Sequence, residues 1–131
     1  MDKDSFILRK IRKNSRNKIA KIAREINLPV TTAHMKFKTL EKDFIKRYVA
    51  IADFEKLGYT RMIVIIEDNS NIQINEENLN NMYRTSKGIT LDLIFEKEKQ
   101  AQDFLRILSE KRIKYSNYNV LETLKVEDVI I

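Results

Sequence analysis

Residues 14–40 read NSRNKIAKIAREINLPVTTAHMKFKTL, from Asn14 to Leu40. Ile19, Ile22, Ala23 and Ile26 recur at three and four residues, so they share one side of a helix and can bury together. Asn27 ends that run, because Asn tolerates the left-handed conformation that closes many helices. Pro29 fits only the first turn of a helix, so a new helix begins near Pro29 or Val30. Its inward stripe is Val30, Ala33, Phe37 and Leu40. At about 100° per residue the opposite side centres on Met35, with Thr31, Thr32, Lys38, Thr39 and Lys42 around it. Two short helices across a tight turn, the second with a polar and basic outer face, form the pattern of a helix-turn-helix that reads a DNA groove.

Working outward, Asp4 can cap a first helix through Lys13 with Ile7, Leu8 and Ile11 inward. Helix two starts at Arg16 or Asn17 and ends at Ile26, and helix three spans Val30 to Lys42. Phe44 to Ala52 alternates in part and reads as a wing strand. The turn at Asp53 to Tyr59, containing Gly58, puts a domain junction near Ala52. Beyond it, Met62 to Ile66 (MIVII) is short enough for a buried strand. Asn75 to Arg84 reads as a helix, since Asn75 can cap it and Leu79, Met82 and Tyr83 share a side. Thr90 to Phe95 is a second strand, Glu98 to Lys111 a helix with Ala101, Phe104, Leu105 and Leu108 inward, and Asn119 to Val126 a third strand.

The motifs at Asp4-Ser-Phe-Ile-Leu, Ile11-Arg-Lys-Asn-Ser-Arg16, Ile22-Ala, Asn27-Leu28, Leu40-Glu41, Phe44-Ile45, Tyr48 and Leu57-Gly58 resemble the DNA-binding half of the leucine-responsive/asparagine-synthase (Lrp/AsnC) regulator family. The resemblance covers residues 4–58. It departs at Pro29, where the family usually has Ser, and at Asp43-Phe44, which lacks the usual intervening Gly. The fold it implies is α+β: a winged helix-turn-helix over 1–52 followed by a small ferredoxin-like α/β sandwich over 53–131 that dimerises. The family usually has four strands in that second half, with one more between the first helix and the strand after Gly88. Only residues 85–88 occupy that space, so a reduced or missing edge strand is expected, with the remaining first and third strands adjacent and parallel. The alternative is that Asn71 to Asn75 (NIQIN) pairs with Met62 to Ile66. The resemblance also implies an amino-acid effector site in the second half. With that strand missing and Asp92 one residue later than the usual acidic position, no effector is expected.

Charge supports the same division. Residues 1–60 hold 15 Lys/Arg against 7 Asp/Glu, a balance of +8, and residues 61–131 hold 10 against 12, a balance of −2. A polyanion-binding module concentrates basic charge in this way. Lys36, Lys38 and Lys42, with Arg16, Lys46 and Arg47, are expected to hold phosphates, while Thr31, Thr32, Met35, Lys38 and Thr39 enter the major groove. Met35 is placed to pack on a thymine methyl. His34, at the edge of that face, can reach a phosphate or a base, although a partly exposed surface position is the plainer reading.

Other chemistry is set aside. The chain has no Cys and one His, which removes disulfides, thiolate zinc sites, cysteine nucleophiles and histidine metal clusters. The carboxylates at Glu76/Glu77 and Glu96/Glu98 lack a nucleophile or glycine-rich phosphate loop beside them. Tyr115 and Tyr118 suit sheet packing better than base stacking. No enzymatic activity, cofactor or metal is expected. Charges interrupt the N-terminus before any secretory core, and no apolar run reaches the roughly 20 residues that span a bilayer. The expected protein is a cytoplasmic, nucleoid-associated, sequence-specific regulator acting on palindromic double-stranded DNA as a dimer or higher homo-oligomer. An architectural, weakly selective DNA binder and a protein-interaction module are the competing readings.

Overall fold

The computed structural model describes residues 2–67 and 77–126. They form two compact units, the first running to Ile51 and including Lys125 and Val126, the second Ala52–Leu124.

The first unit is three helices, α1 (Lys3–Lys13), α2 (Ile19–Glu25) and α3 (Val30–Phe44). The cap of α1 is Asp2, not Asp4: its carboxylate accepts from the Ser5 amide at 2.7 Å, and Asp4 lies in the first turn. That backbone hydrogen bond holds the Asp2 carboxyl below the ordinary range. Asn14 and Asn17 close the α1–α2 turn, the Asn14 amide and Asn17 Nδ2 both donating to the Lys10 carbonyl. Helix two starts later than expected, at Ile19.

Asn27 is left-handed at φ 54°. Beside it the Leu28 amide donates to Ala23 O at 2.9 Å and the Asn27 amide to Arg24 O at 3.4 Å. These are the paired bonds of a Schellman cap. Pro29 follows at the N-cap of α3, as its fixed φ favours. Ile7, Ile11, Ile22 and Leu40 form the core, with Phe6, Leu8, Ile19, Ile26, Phe37 and Ile45 packed around them. Ala23 and Ala33 are fully buried. Side chains this small keep the α2–α3 crossing short.

No wing strand exists among the described residues. Helix α3 runs to Phe44, and residues 45–59 contain no strand. Ile45 packs on the helical core, but Phe44, Val49 and Ile51 are exposed, and among the described residues no strand pairs with 44–52 to complete its backbone hydrogen bonds.

The second unit is a four-stranded antiparallel sheet in the order β2-β3-β1-β4, from β1 (Thr60–Ile66), β2 (Leu79–Thr85), β3 (Gly88–Phe95) and β4 (Tyr115–Asn119), with helix α4 (Glu98–Glu110). Met62, Val64 and Ile66 of β1 and Ile89, Leu91, Leu93 and Phe95 of β3 share a core with Ala101, Phe104 and Leu108 of α4. Alternation along β1 is the reason: Met62, Val64 and Ile66 are buried, and Arg61, Ile63 and Ile65 between and before them are partly exposed.

Several expectations are corrected here. The helix expected over Asn75 to Arg84 is a strand from Leu79 onward; Asn75 and Glu76 lie outside the described residues. Leu79, Met82 and Tyr83 do recur at helical spacing. However, Met82 and Tyr83 are exposed, and Asn80 and Asn81 instead donate to Asp92 on β3. The sheet has four strands, so no edge strand is missing. The short Thr85 to Gly88 segment suffices because it is a tight hairpin: Thr85 pairs with Gly88, the Lys87 amide donates to Thr85 Oγ1, and that hydroxyl donates to the Gly88 carbonyl. Gly88 sits at φ 125°, and a Cβ there would fall 2.0 Å from the Ile66 carbonyl oxygen. β1 and the last strand are adjacent as expected but antiparallel. That last strand covers Tyr115–Asn119 and not Asn119 to Val126, and Leu121 and Leu124 beyond it are 90% and 87% exposed. The NIQIN segment lies outside the described residues.

Candidate nucleic-acid interface

Ala33 and Leu40 turn α3 into the three-helix core, with Phe37 half-buried beside them. The opposite side is therefore solvent-facing. Met35 is 72% exposed, and Thr31, His34, Lys38, Thr39 and Lys42 are exposed around it; Thr32 is half-buried at the margin. Val30, expected inward, is 44% exposed. As the first residue of the helix, it lies beyond the reach of the core.

Within this face the hydrogen bonding is informative. Thr39 Oγ1 donates to the Met35 carbonyl at 3.2 Å, which uses its proton inside the helix. Lys36 is half-buried, and its Nζ reaches Asp4 of α1 at 3.3 Å. It ties α3 to α1, and Lys10 similarly ties α1 to Glu25 of α2 at 3.1 Å. Both are partly exposed pairs, worth under about 1 kcal/mol each. Their role is to orient the helices more than to stabilise them.

The flanking cations lie on the chain at either end of this motif. Arg16 is exposed in the α1–α2 turn, its amide donating to Asn14 Oδ1 at 3.0 Å. Lys46 and Arg47 are exposed just past α3. One contact holds that segment, and sequence reasoning passed over it: the Tyr48 hydroxyl donates to Glu41 Oε2 at 2.5 Å. Desolvation, with that hydrogen bond and the Glu41 charge, pushes the Tyr48 phenol up to about 12. Tyr48 thus folds the exit of α3 back onto the helix and fixes where Lys46 and Arg47 emerge. The seven-residue separation of Glu41 and Tyr48 carried no signal of this, because it spans a helix end.

A second polar cluster lies in the sheet. Asp92 is buried, receiving Arg61 Nε at 3.1 Å and Nη2 at 2.9 Å, with Asn80 and Asn81 each at 3.0 Å. Burial alone would raise its carboxyl, but the bonds from Arg61, Asn81 and Asn80 outweigh that and hold it below the ordinary range. Every donor here finds the same acceptor, which is the arrangement of a structural ion pair. Among the described residues no cluster of three or more metal-ligating side chains occurs, and no helix is long and apolar enough to cross a membrane.

No family model and no curated protein matches the sequence. Solved structures do match the fold. The leucine response regulatory protein of Mycobacterium tuberculosis aligns with a TM-score of 0.79 at 16% identity, over 100% of this chain and 99% of that one. An AsnC family transcriptional regulator from Agrobacterium tumefaciens aligns with a TM-score of 0.77 at 20% identity, over 96% and 94%. A feast or famine regulatory protein from M. tuberculosis, complexed with L-methionine, aligns with a TM-score of 0.81 at 18% identity, over 99% and 98%. From its first helix to the segment beyond its last strand, the chain has the fold of the Lrp/AsnC regulators.

Proposed function

We propose that this protein is a DNA-binding transcriptional regulator of the Lrp/AsnC type, with residues 1–52 as its DNA-binding domain and 53–131 as a ferredoxin-like dimerisation domain. One observation carries the reading: in the basic half, α3 buries Ala33 and Leu40 and exposes Thr31, Met35, Lys38, Thr39 and Lys42. That helix enters the major groove, and Arg16, Lys46 and Arg47 fix register on the phosphates. A single helix has a small footprint, so a symmetric dimer on a palindrome supplies the affinity and specificity. The protein has no catalytic role and acts in the cytoplasm on the nucleoid.

Selection from a random duplex pool at two salt concentrations tests this reading. Enrichment of one palindrome supports it; uniform salt-sensitive binding indicates an architectural DNA binder instead, and no binding indicates a protein-interaction module. Sedimentation of the full chain at micromolar concentration tests assembly, and a clean monomer would leave only single-site binding.

Two findings weigh against the expectation that no amino acid acts on the protein. The strand whose loss argued against a site is present as β2, and a protein of like fold was solved with L-methionine. A free amino acid is therefore the effector class to test. Calorimetry across the twenty amino acids should give a saturable signal for at least one, with a matching change in DNA affinity. Flat titrations throughout would remove an effector from the account.

A further inference from the structure

Helix α3 contains no Arg, Asn or Gln, the side chains that make most bidentate contacts to guanine and adenine edges. Within about 60° of Met35 it exposes Thr31, Lys38, Thr39 and Lys42, with half-buried Thr32 at the margin. Resting on the DNA-binding reading above, we propose that this face reads thymine C5-methyl groups, with Met35 as the specificity-determining residue and the methyls of Thr31 and Thr39 beside it.

Four observations support the assignment. Met35 sits at the middle of the face at 72% exposure and belongs to no core cluster among the described residues. A thioether on an unbranched stem adapts to an apolar target and offers no strong hydrogen bond to a base. Thr39 has committed its hydroxyl proton to the Met35 carbonyl, so it meets a base as a methyl or an acceptor. The charged groups nearest the centre, Lys38 and Lys42, are flexible point charges suited to phosphates. Only the major groove displays a thymine methyl, which also makes this a statement about the groove that α3 enters.

The test compares a duplex that the full chain binds with the same duplex carrying deoxyuridine for thymine, which removes each methyl while keeping base pairing and backbone charge. Affinity should fall by about fourfold per contacted methyl, the share one buried carbon carries. Met35→Ala should erase most of that difference while retaining salt-sensitive binding, and Met35→Leu should restore it. A loss that persists in Met35→Ala would trace to duplex shape and overturn the assignment. Equal binding of the thymine and uracil duplexes, with sensitivity instead to 7-deazaguanine, would overturn it in favour of guanine reading by Lys38. Absence of binding to any duplex at low salt would sink the DNA-binding reading itself, and this inference with it.

Discussion

Arg61 grips Asp92 diagonally across β1 and β3, with Nε and Nη2 on the two carboxylate oxygens at 3.1 and 2.9 Å. The register places Ile63 opposite Asp92 and Ile94 opposite Arg61. The pair therefore lies on the sheet face away from the Met62–Val64–Ile66 core, and it draws Asn80 and Asn81 of β2 to the same carboxylate. Removing one member leaves the others desolvated without a partner, and breaking such a pair typically costs about 3–5 kcal/mol. Arg61→Ala or Asp92→Ala should destabilise the protein by about 3 kcal/mol in denaturant unfolding, the lower end because Arg61 is partly exposed. A loss under about 1 kcal/mol for Asp92→Ala would mean that the cluster does not hold β2 in place.

The same carboxylate sets an acid limit. Its folded value lies below the ordinary 3.8, so its contribution is fully present above that value and is lost as pH falls through the folded one. Stability measured from pH 6 down to 2 should decline below about pH 4 more steeply in the parent than in Asp92→Asn. Parallel curves would show that other carboxylates govern acid unfolding.

Tyr48 titrates in the opposite sense. Because its phenol is pushed up to about 12, the hydroxyl stays protonated, and the contact to Glu41 persists until strongly alkaline pH. Ultraviolet titration should show one of the five tyrosines ionising last, and Tyr48→Phe should remove that step. The same variant should weaken DNA binding severalfold by freeing Lys46 and Arg47, with little change in stability. If the late step survives in Tyr48→Phe, it belongs to another tyrosine.

Two backbone positions carry their own predictions. Gly88→Ala brings a Cβ against the Ile66 carbonyl in a region that L residues avoid. It should cost about 3 kcal/mol or more, or abolish folding of the second unit. Asn27→Ala places a Cβ-bearing residue without a helpful side chain in the left-handed cap and should cost about 1 kcal/mol, whereas Asn27→Gly should be near neutral. Equal stability of the two Asn27 variants would contradict the cap.

What could be read from the residues alone was local. The three helices, the Asn27–Pro29 turn, the MIVII strand and α4 all follow from periodicity and capping within short windows, and the structure has each of them, with helix two beginning at Ile19 and the α1 cap at Asp2 as the corrections. The exposed face of α3 was legible for the same reason, since the burial of Ala33 and Leu40 fixes the opposite side. Errors arose where pairing partners decide. Residues 79–85 have helical spacing but fold as an edge strand, because Gly88 permits a tight hairpin and Asp92 collects the two asparagines. Residues 44–52 and 120–126 look strand-like, yet among the described residues neither stretch forms a strand ladder beyond the single Val120 amide bond to the Arg61 carbonyl, and a strand without a ladder partner is not stable. The Arg61–Asp92 pair, 31 positions apart in the chain, and the inward tie of Lys36 to Asp4 depend on tertiary packing that no local pattern reports.

The central claim is that the outer face of α3 binds DNA, and its most direct test is the affinity of the full chain for duplex DNA as a function of salt. The parent is compared with Lys38→Ala and with a Thr31→Ala, Met35→Ala, Lys38→Ala, Thr39→Ala variant. These exposed positions can change without disturbing the core. The account predicts binding that weakens linearly in log salt, a slope lowered by about one counterion in Lys38→Ala, and loss of sequence preference in the fourfold variant. If the fourfold variant binds its selected sequence as the parent does, with the same slope, α3 is not the reading helix.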